Sequence, residues 1–360
     1  MLDVAIVGGG LSGLALGVTL QEKGVDYTVF EARDRLGGRI LTRQCPVSSI
    51  DFDLGPTWYW PETQPLIRQW VQRFGLSHFD QPDDGSVLVL TETDKKPGRL
   101  ENENIHAGAQ RLAGGMDALS GALIELVPDE RRLLSHRLTS VIKKEDHVEL
   151  EFSTSTGDVT IKAKRVVLAM PPRLIEEHIY FSPKLSRPFA DLLLDTPTWM
   201  ATQAKAVSCY ANLPDYRDRA GSGNAFVQHE QAVLGEIFDL SPPEGDATAM
   251  GGFVALSPAL RKSFRTGLNM LVSSQFAQVF GAGFETGEIA VCDWAEEPLT
   301  CSSQDLRAPA SMEFDHFGPA GLRQPQWDGT LFFAGTETAE VAAGYLEGAI
   351  SSALRVVSEL

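Results

Sequence analysis

Residues 2–31 constrain the fold more than any other stretch of the chain. "LDVAIV" is a short apolar run, and "GGGLSG" follows it directly. "LALGVTLQEKG" then carries apolar residues at helical spacing and closes on Gly24, and "VDYTVF" is a second apolar run that ends at Glu31. The pattern reads as strand, tight glycine turn, helix, strand. Gly8, Gly10 and Gly13 occupy the G-x-G-x-x-G positions. Gly8 permits the turn, Gly10 lets a pyrophosphate approach the backbone, and Gly13 lets the helix pack close to the strand. The helix start at Leu11 and Ser12 supplies amide donors and the positive end of the helix dipole. Glu31 lies eighteen residues after Gly13, where a carboxylate can accept both ribose hydroxyls. An acid there, followed by Ala32, disfavours a 2′-phosphate and hence NADP.

A chain of 360 residues exceeds the usual size of a single core, so two domains or one large α/β unit are expected. The formal charge is −17 and spread along the chain, which argues against nucleic acid or anionic lipid as partners. It mildly favours cationic small molecules. Cys45, Cys209, Cys292 and Cys301 form no C-x-x-C pair, and histidine is scarce, so a structural zinc site is not expected. Few, scattered cysteines fit a reducing compartment. "LDVAIVGGG" already reads as a buried strand where a signal peptide would lie. No apolar run reaches the length of a membrane span, so the expectation is a cytoplasmic protein that does not engage a membrane.

Past the ribose acid, "EARDRLGGRI" places Arg33, the pair Gly37–Gly38 and Arg39 together. Two glycines followed by an arginine suit a loop that folds back over a diphosphate, with Arg39 making a planar, charge-assisted contact. This points to a flavin dinucleotide rather than a nicotinamide one. Arg33 and Arg35 read equally well as a solvated basic loop. At the other end, "GTLFFAGTE" is an apolar strand entering a glycine turn at Gly335, with Glu337 where a carboxylate can bond a ribityl hydroxyl. "GYLEGAISSALRVVSEL" then begins a helix near Gly344 with Leu346, Ile350, Leu354 and Val357 on one face. Amides at such a helix start stabilise the negative charge that a flavin acquires on reduction.

These landmarks resemble those of the flavin-containing amine oxidoreductases, the monoamine-oxidase-like branch of the two-dinucleotide-fold flavoproteins. "DFDLGPTWYW" is similar to the family's second flavin-contacting segment, placing Gly55, Pro56, Thr57 and Trp58 at the cofactor. "RLAGGMDALSGAL" resembles the helix start that re-enters the cofactor domain, and "KRVVLAMPPRL" the strand and double proline that leave it. "FFAGTETAEVAAGYLEGAI" is the most specific match. The resemblance runs in family order from Val4 to Val357. It implies an α/β fold: a Rossmann-like FAD-binding domain with an α+β substrate domain built on a mixed sheet. The FAD domain would comprise residues 1–56, 107–181 and 296–360, and the substrate domain 57–106 with 182–295.

Within the first domain, strands are expected at Leu133–His136, Leu138–Lys143, Val148–Phe152 and Val159–Ala163. Leu138 matches the strand whose backbone meets the adenine. The second domain is expected to hold strands near 204–210, 225–229, 232–239 and 249–256 and a helix at 267–280. Between Gly55 and Gly108 the chain is shorter than typical members, and only "TQPLIRQWVQRFG" reads clearly as a helix.

The resemblance also implies site residues. Lys205, in "TWMATQAKAVSCY", occupies the position of a lysine that holds a water against flavin N5. Composition alone favours a strand-end lysine that snorkels to solvent; the family register reverses that. Tyr345 matches one wall of the family's aromatic sandwich, which steers an amine nitrogen to the flavin. Trp294 matches the tryptophan beside the flavin, and Trp58 an aromatic of the same cavity, with core packing the competing account of both. In "DWAEEPLTCSSQDL", covalent members would carry the flavin-linked cysteine nine residues after Trp294 and the second sandwich tyrosine next. Here those positions are Ser303 and Gln304, and Cys301 falls two residues early. The expectation is noncovalent FAD, an unmodified Cys301 near it, and half of the sandwich missing. His78, His106, His229 and His316 show no spacing that suggests a metal or a triad, so surface or core packing is expected of each.

The implied reaction is oxidation of a C–H next to an amine nitrogen: hydride passes to flavin N5, the imine hydrolyses, and oxygen reoxidises the flavin to give hydrogen peroxide. An FAD-dependent desaturase or protoporphyrinogen-oxidase-like dehydrogenase on a carbon substrate is favoured by the missing tyrosine and opposed by Lys205 and Tyr345. A flavin-bound partner protein without turnover is opposed by the intact cofactor motifs.

Overall fold

The chain leaves its first strand, β1 (Leu2–Val7), through Gly8, whose φ of 107° is open to glycine and strained for other residues. It enters helix α1 (Leu11–Glu22) and returns through Gly24 to β2 (Tyr27–Phe30). These are elements of a computed structural model that describes all residues except 49, 102, 212, 214–220, 244–246 and 308–317. The reading of His316 therefore lies outside the described residues.

β1 sits inside an eight-stranded sheet, paired in parallel with β2 on one side and with the strand Gly157–Ala169 on the other. Leu331–Ala334 adds a further parallel strand beyond Gly157–Ala169. The same long strand also closes an antiparallel meander with Val148–Thr154 and Arg137–Lys143. Sequence reading expected separate strands at 159–163 and in "KRVVLA". The structure joins them into one strand of 13 residues. No glycine, proline, asparagine or aspartate stands between Val159 and Ala169 to interrupt it. Its first half pairs with the meander and its second half with β1, so one strand couples the two sheet regions.

One face of this sheet is covered by α1 and the terminal helix Leu346–Glu359, around Ile6, Leu14, Val29, Ile350 and Val356. α1 is apolar almost all round because sheet and terminal helix enclose it. The expected face of the terminal helix is turned slightly. Ile350 and Val357 are buried, whereas Leu346 and Leu354 only flank the core, and Ala349 and Ala353 are buried with them. Small residues there allow the two helices a close approach.

A second, seven-stranded sheet contains Ala204–Tyr210, Ala225–Val227, Leu234–Asp239, Thr248–Val254 and Glu288–Asp293. It is mixed, because Ala225–Val227 runs parallel to Val87–Leu90 while its other pairs are antiparallel. Helix Leu268–Phe280 backs it over Leu234, Ile237, Met250 and Phe276. The opposite face, with Val207, Phe238 and Trp294, packs on the 41–58 region. The short region before Gly108 thus holds more than its helix, Pro65–Arg73. Val87–Leu90 and Gly98–Leu100 join the second sheet, a role that a four-residue run such as "VLVL" cannot declare by periodicity.

Candidate active site

A cavity of about 420 Å³ lies between the two sheets. Every residue singled out above for cofactor contact or catalysis lines it, with the exception of Gly13. Gly13 works from behind the lining: a Cβ there would sit 1.9 Å from the Gly8 carbonyl oxygen. The two glycine-rich loops touch. The Gly37 amide donates to the Gly9 carbonyl at 2.9 Å, and a Cβ on Gly38 would come within 2.9 Å of Gly10 Cα. Bare main chain therefore forms this end of the cavity, as an anion cradle requires.

Glu31 is 5% exposed and braces that cradle. Its Oε2 accepts from the Gly9 amide at 2.7 Å and its Oε1 from the Arg33 amide at 2.9 Å. A carboxylate has about four acceptor positions, so two remain for a diol. Arg33 is tied down, donating to Glu297 at 3.2 Å and to Thr300 at 2.9 Å. Arg35 donates to the carbonyls of Leu36, Gly38 and Ile40, and burial lowers its pKa. Neither is a solvated basic loop. The Arg39 fork holds both oxygens of Glu337, at 2.7 and 3.0 Å, and Glu337 is fully buried. The guanidinium and carboxylate that the sequence assigned to diphosphate and ribityl chain thus meet each other. Ser12 and Ser352 share a hydroxyl contact of 3.0 Å, and the Gly335 amide points to both, locking α1, the terminal helix and the Gly335 turn together. Ser352 had no motif to reveal it.

Lys205 also lines the cavity, from the strand Ala204–Tyr210, where Phe253 and Cys292 flank it in register. It does not snorkel; it is 2% exposed. Nζ donates to the Gly55 carbonyl at 3.2 Å and to the Thr57 hydroxyl. Its charge lies 5.6 Å from the Trp58 ring centre and 5.2 Å from that of Phe238. Burial pushes the lysine pKa down to about 7, while Asp53 pulls the other way. Burial raises the pKa of Asp53 in turn, against hydrogen bonds from Thr42 and the Met116 amide. Near neutral pH the site can therefore hold either a free amine or an ammonium at Lys205.

Trp294 anchors its indole by a 3.1 Å bond to the Leu54 carbonyl, and Trp58 by a 2.8 Å bond to Gln81. Trp58 also stacks on His106 at 4.4 Å, which gives that histidine a buried packing place between Asp83 and Glu236. Tyr345 caps the terminal helix and lies beside Trp199, a lining residue that sequence reasoning passed over along with Met170, Met200 and Phe253. Cys301 and Gln304 are absent from the lining, whereas Leu299 and Thr300 belong to it. Burial pushes the Cys301 thiol up to about 12. Among the described residues no group of three or more His, Cys, Asp or Glu side chains can hold a metal, and no helix is long and apolar enough to cross a membrane.

The NAD(P)-binding Rossmann-like domain model matches residues 6–74, and the model of the flavin-containing amine oxidoreductases matches residues 88–360. Flavin-containing amine oxidase B of Sus scrofa is 24% identical, over 99% of this chain and 86% of its own length. A flavin-containing amine oxidase of Danio rerio is 28% identical, over 99% of this chain and 85% of its own. Among solved structures, putrescine oxidase bound to putrescine superposes with a TM-score of 0.79 at 19% identity, covering 99% of this chain and 98% of that one. Cyclohexylamine oxidase from Brevibacterium oxydans gives 0.79 at 18% identity, with the same coverage of both chains. These structural likenesses establish the fold, and the family match over most of the chain establishes the lineage: it belongs to the flavin-containing amine oxidoreductases and is a flavin-dependent oxidoreductase.

Proposed function

We propose that the protein is an FAD-dependent amine oxidase with oxygen as electron acceptor. The observation that carries this reading is Lys205, buried in the lining of the same cavity that the glycine cradle opens onto. The open main chain at Gly10 and Gly38, together with the unfilled acceptor positions of Glu31, fits a dinucleotide diphosphate and ribose. Leu138, on the strand Arg137–Lys143, would meet the adenine. In this reading, residues 1–56, 107–181 and 296–360 form the FAD-binding domain, and 57–106 with 182–295 the substrate domain.

FAD binds without a covalent link. Cys301 and Ser303 both lie off the cavity lining, and burial keeps the Cys301 thiol protonated. When bound, the flavin supplies the two-electron chemistry, accepting hydride from the carbon next to the amine nitrogen and passing electrons to oxygen to give hydrogen peroxide. The chain's own residues position and solvate. Lys205, fixed by Thr57 and Gly55, holds a water at the reacting end, and with a pKa of about 7 it can carry or release a proton there. Tyr345 and Trp294 wall the approach, and the first turn of the helix Leu346–Glu359 offers free amides. Four free cysteines, three of them buried, support work in a reducing cytoplasm.

The test is spectroscopic. Purified protein should release unmodified FAD on acid precipitation. Anaerobic addition of an amine should bleach the flavin, and air should restore the colour with formation of peroxide. Bleaching by a polyene or porphyrinogen, with none by any amine, would replace this reading by that of a carbon-substrate dehydrogenase.

A further inference from the structure

Gln304, at the spacing expected for the second aromatic wall, sits on the short helix Ser303–Arg307 and takes no part in the cavity lining. Trp199 does. Its ring lies beside that of Tyr345, with centroids 5.7 Å apart and planes 33° from parallel. The turn that presents it is pinned on both sides. The Thr198 amide donates to Asp305 at 3.1 Å, and the Trp199 amide to Glu337 at 3.2 Å. The Trp199 carbonyl accepts from Arg39 at 3.2 Å. Met200, the next residue, is held at a φ of 56°, a left-handed conformation costly for a side chain of that kind. Gly344 leaves the ring its room, since a Cβ there would lie 2.8 Å from Trp199 Cγ. Asp305, in the segment that lacks the expected tyrosine, thus helps to hold the tryptophan from elsewhere in the chain.

A slot that sandwiches a substrate group needs about 7 Å between ring planes, because each van der Waals contact takes about 3.5 Å. At 5.7 Å between centroids the rings of Trp199 and Tyr345 touch each other instead, and nothing enters between them. They make one continuous wall. The charge on the lining adds a second restriction. Glu31 and Glu337 are its only carboxylates among the described residues, and both are engaged by protein donors. Glu236 follows Phe253 in the row that starts at Lys205, but it turns toward His106 at 3.5 Å and is absent from the lining.

The geometry points to Trp199 as a specificity-determining residue: with Tyr345 it forms a single aromatic wall for monoamines that carry a wide apolar substituent, aryl or alicyclic. Among the described lining residues, the second ammonium of a linear diamine finds no carboxylate that is not already engaged by protein donors. This rests on the amine-oxidase reading. The test compares turnover of the FAD-loaded protein, together with its anaerobic flavin reduction, on 2-phenylethylamine, cyclohexylamine, n-butylamine and putrescine. The first two should exceed putrescine in kcat/KM by about tenfold or more, the scale of discrimination an apolar pocket supplies. Trp199→Ala should lower the preference for 2-phenylethylamine over n-butylamine by about tenfold, mainly through KM, as expected for loss of an aromatic contact. FAD content should stay unchanged, and Trp199→Phe should restore most of the preference. If Trp199→Ala does not fold, Trp199→Leu makes the same comparison, with bulk but no π face. Preference of the wild type for putrescine, or an equal loss toward all four amines in the variant, overturns the proposal while the amine reading stands. Failure of the wild type with every amine overturns both.

Discussion

Lys205 shows how one side chain can be recognised in a sequence and still be understood only in its setting. Its position was legible because "PTWM" stands upstream in the family register, but its state depends on Asp53, Thr57 and the Gly55 carbonyl, all about 150 residues away in sequence. Replacing it by methionine keeps the volume and removes the titrating group. Lys205→Met should retain FAD and slow turnover or flavin reoxidation by roughly 10²-fold, the usual range for losing a positioned proton-transfer group. Stopped-flow absorbance separates the two half-reactions, and loss of FAD from the variant would mean that the lysine is structural.

Stability carries a signature of its own. The folded lysine titrates near 7 and the unfolded one near about 10.4, so between those values the unfolded chain binds the extra proton. Rising pH through that window therefore favours the native state. Wild type should gain on Lys205→Met by up to about 1.4 kcal/mol per pH unit there, and the difference should be flat below pH 7. Denaturant titrations at pH 6, 7 and 9 read it directly. Glu31, Tyr345 and the glycines were equally legible, since each belongs to a local motif. Trp199, Asp53 and Ser352 were not, because what makes each of them matter is a partner far away in sequence.

At the scale of elements, legibility followed local signals. β1, α1 and β2 could be read because apolar period and glycine turn agree over thirty residues. The 157–169 strand and the short Val87–Leu90 strand could not, because their ends and partners are set by neighbours in the sheet. The contact between β1 and α1 also makes a sharp test. A methyl group on Gly13 would overlap the Gly8 carbonyl, so Gly13→Ala must push α1 off the strand and spoil the cradle. It should cost about 1–3 kcal/mol and most of the bound FAD. Gly121→Ala, in the helix Asp117–Leu126 with nothing within 4 Å of the new methyl group, should instead stabilise by up to about 1 kcal/mol. Chemical denaturation and flavin absorbance measure both. Equal effects at the two positions would remove the steric account of the G-x-G-x-x-G spacing.

At the scale of the molecule, the cavity is a joint between two sheets, and the ties across it are specific. Lys205 reaches the Gly55 carbonyl, Trp294 the Leu54 carbonyl, and Arg39 the Trp199 carbonyl. Buried Arg111 donates to the Leu240 and Ser241 carbonyls at 2.8 and 3.1 Å. Such ties link parts of the chain far apart in sequence, so neither sheet should unfold without disturbing the other. A cofactor bound between them adds its binding energy to both. FAD in hundredfold excess over its Kd should stabilise the native state by about 2.7 kcal/mol, raising Tm by several degrees over flavin-free protein. The rise in flavin fluorescence on release should then coincide with loss of far-UV circular dichroism in one transition. Release of FAD well below that transition, with the circular dichroism intact, would show that the cofactor is held by one sheet region alone and that the joint does not bind it.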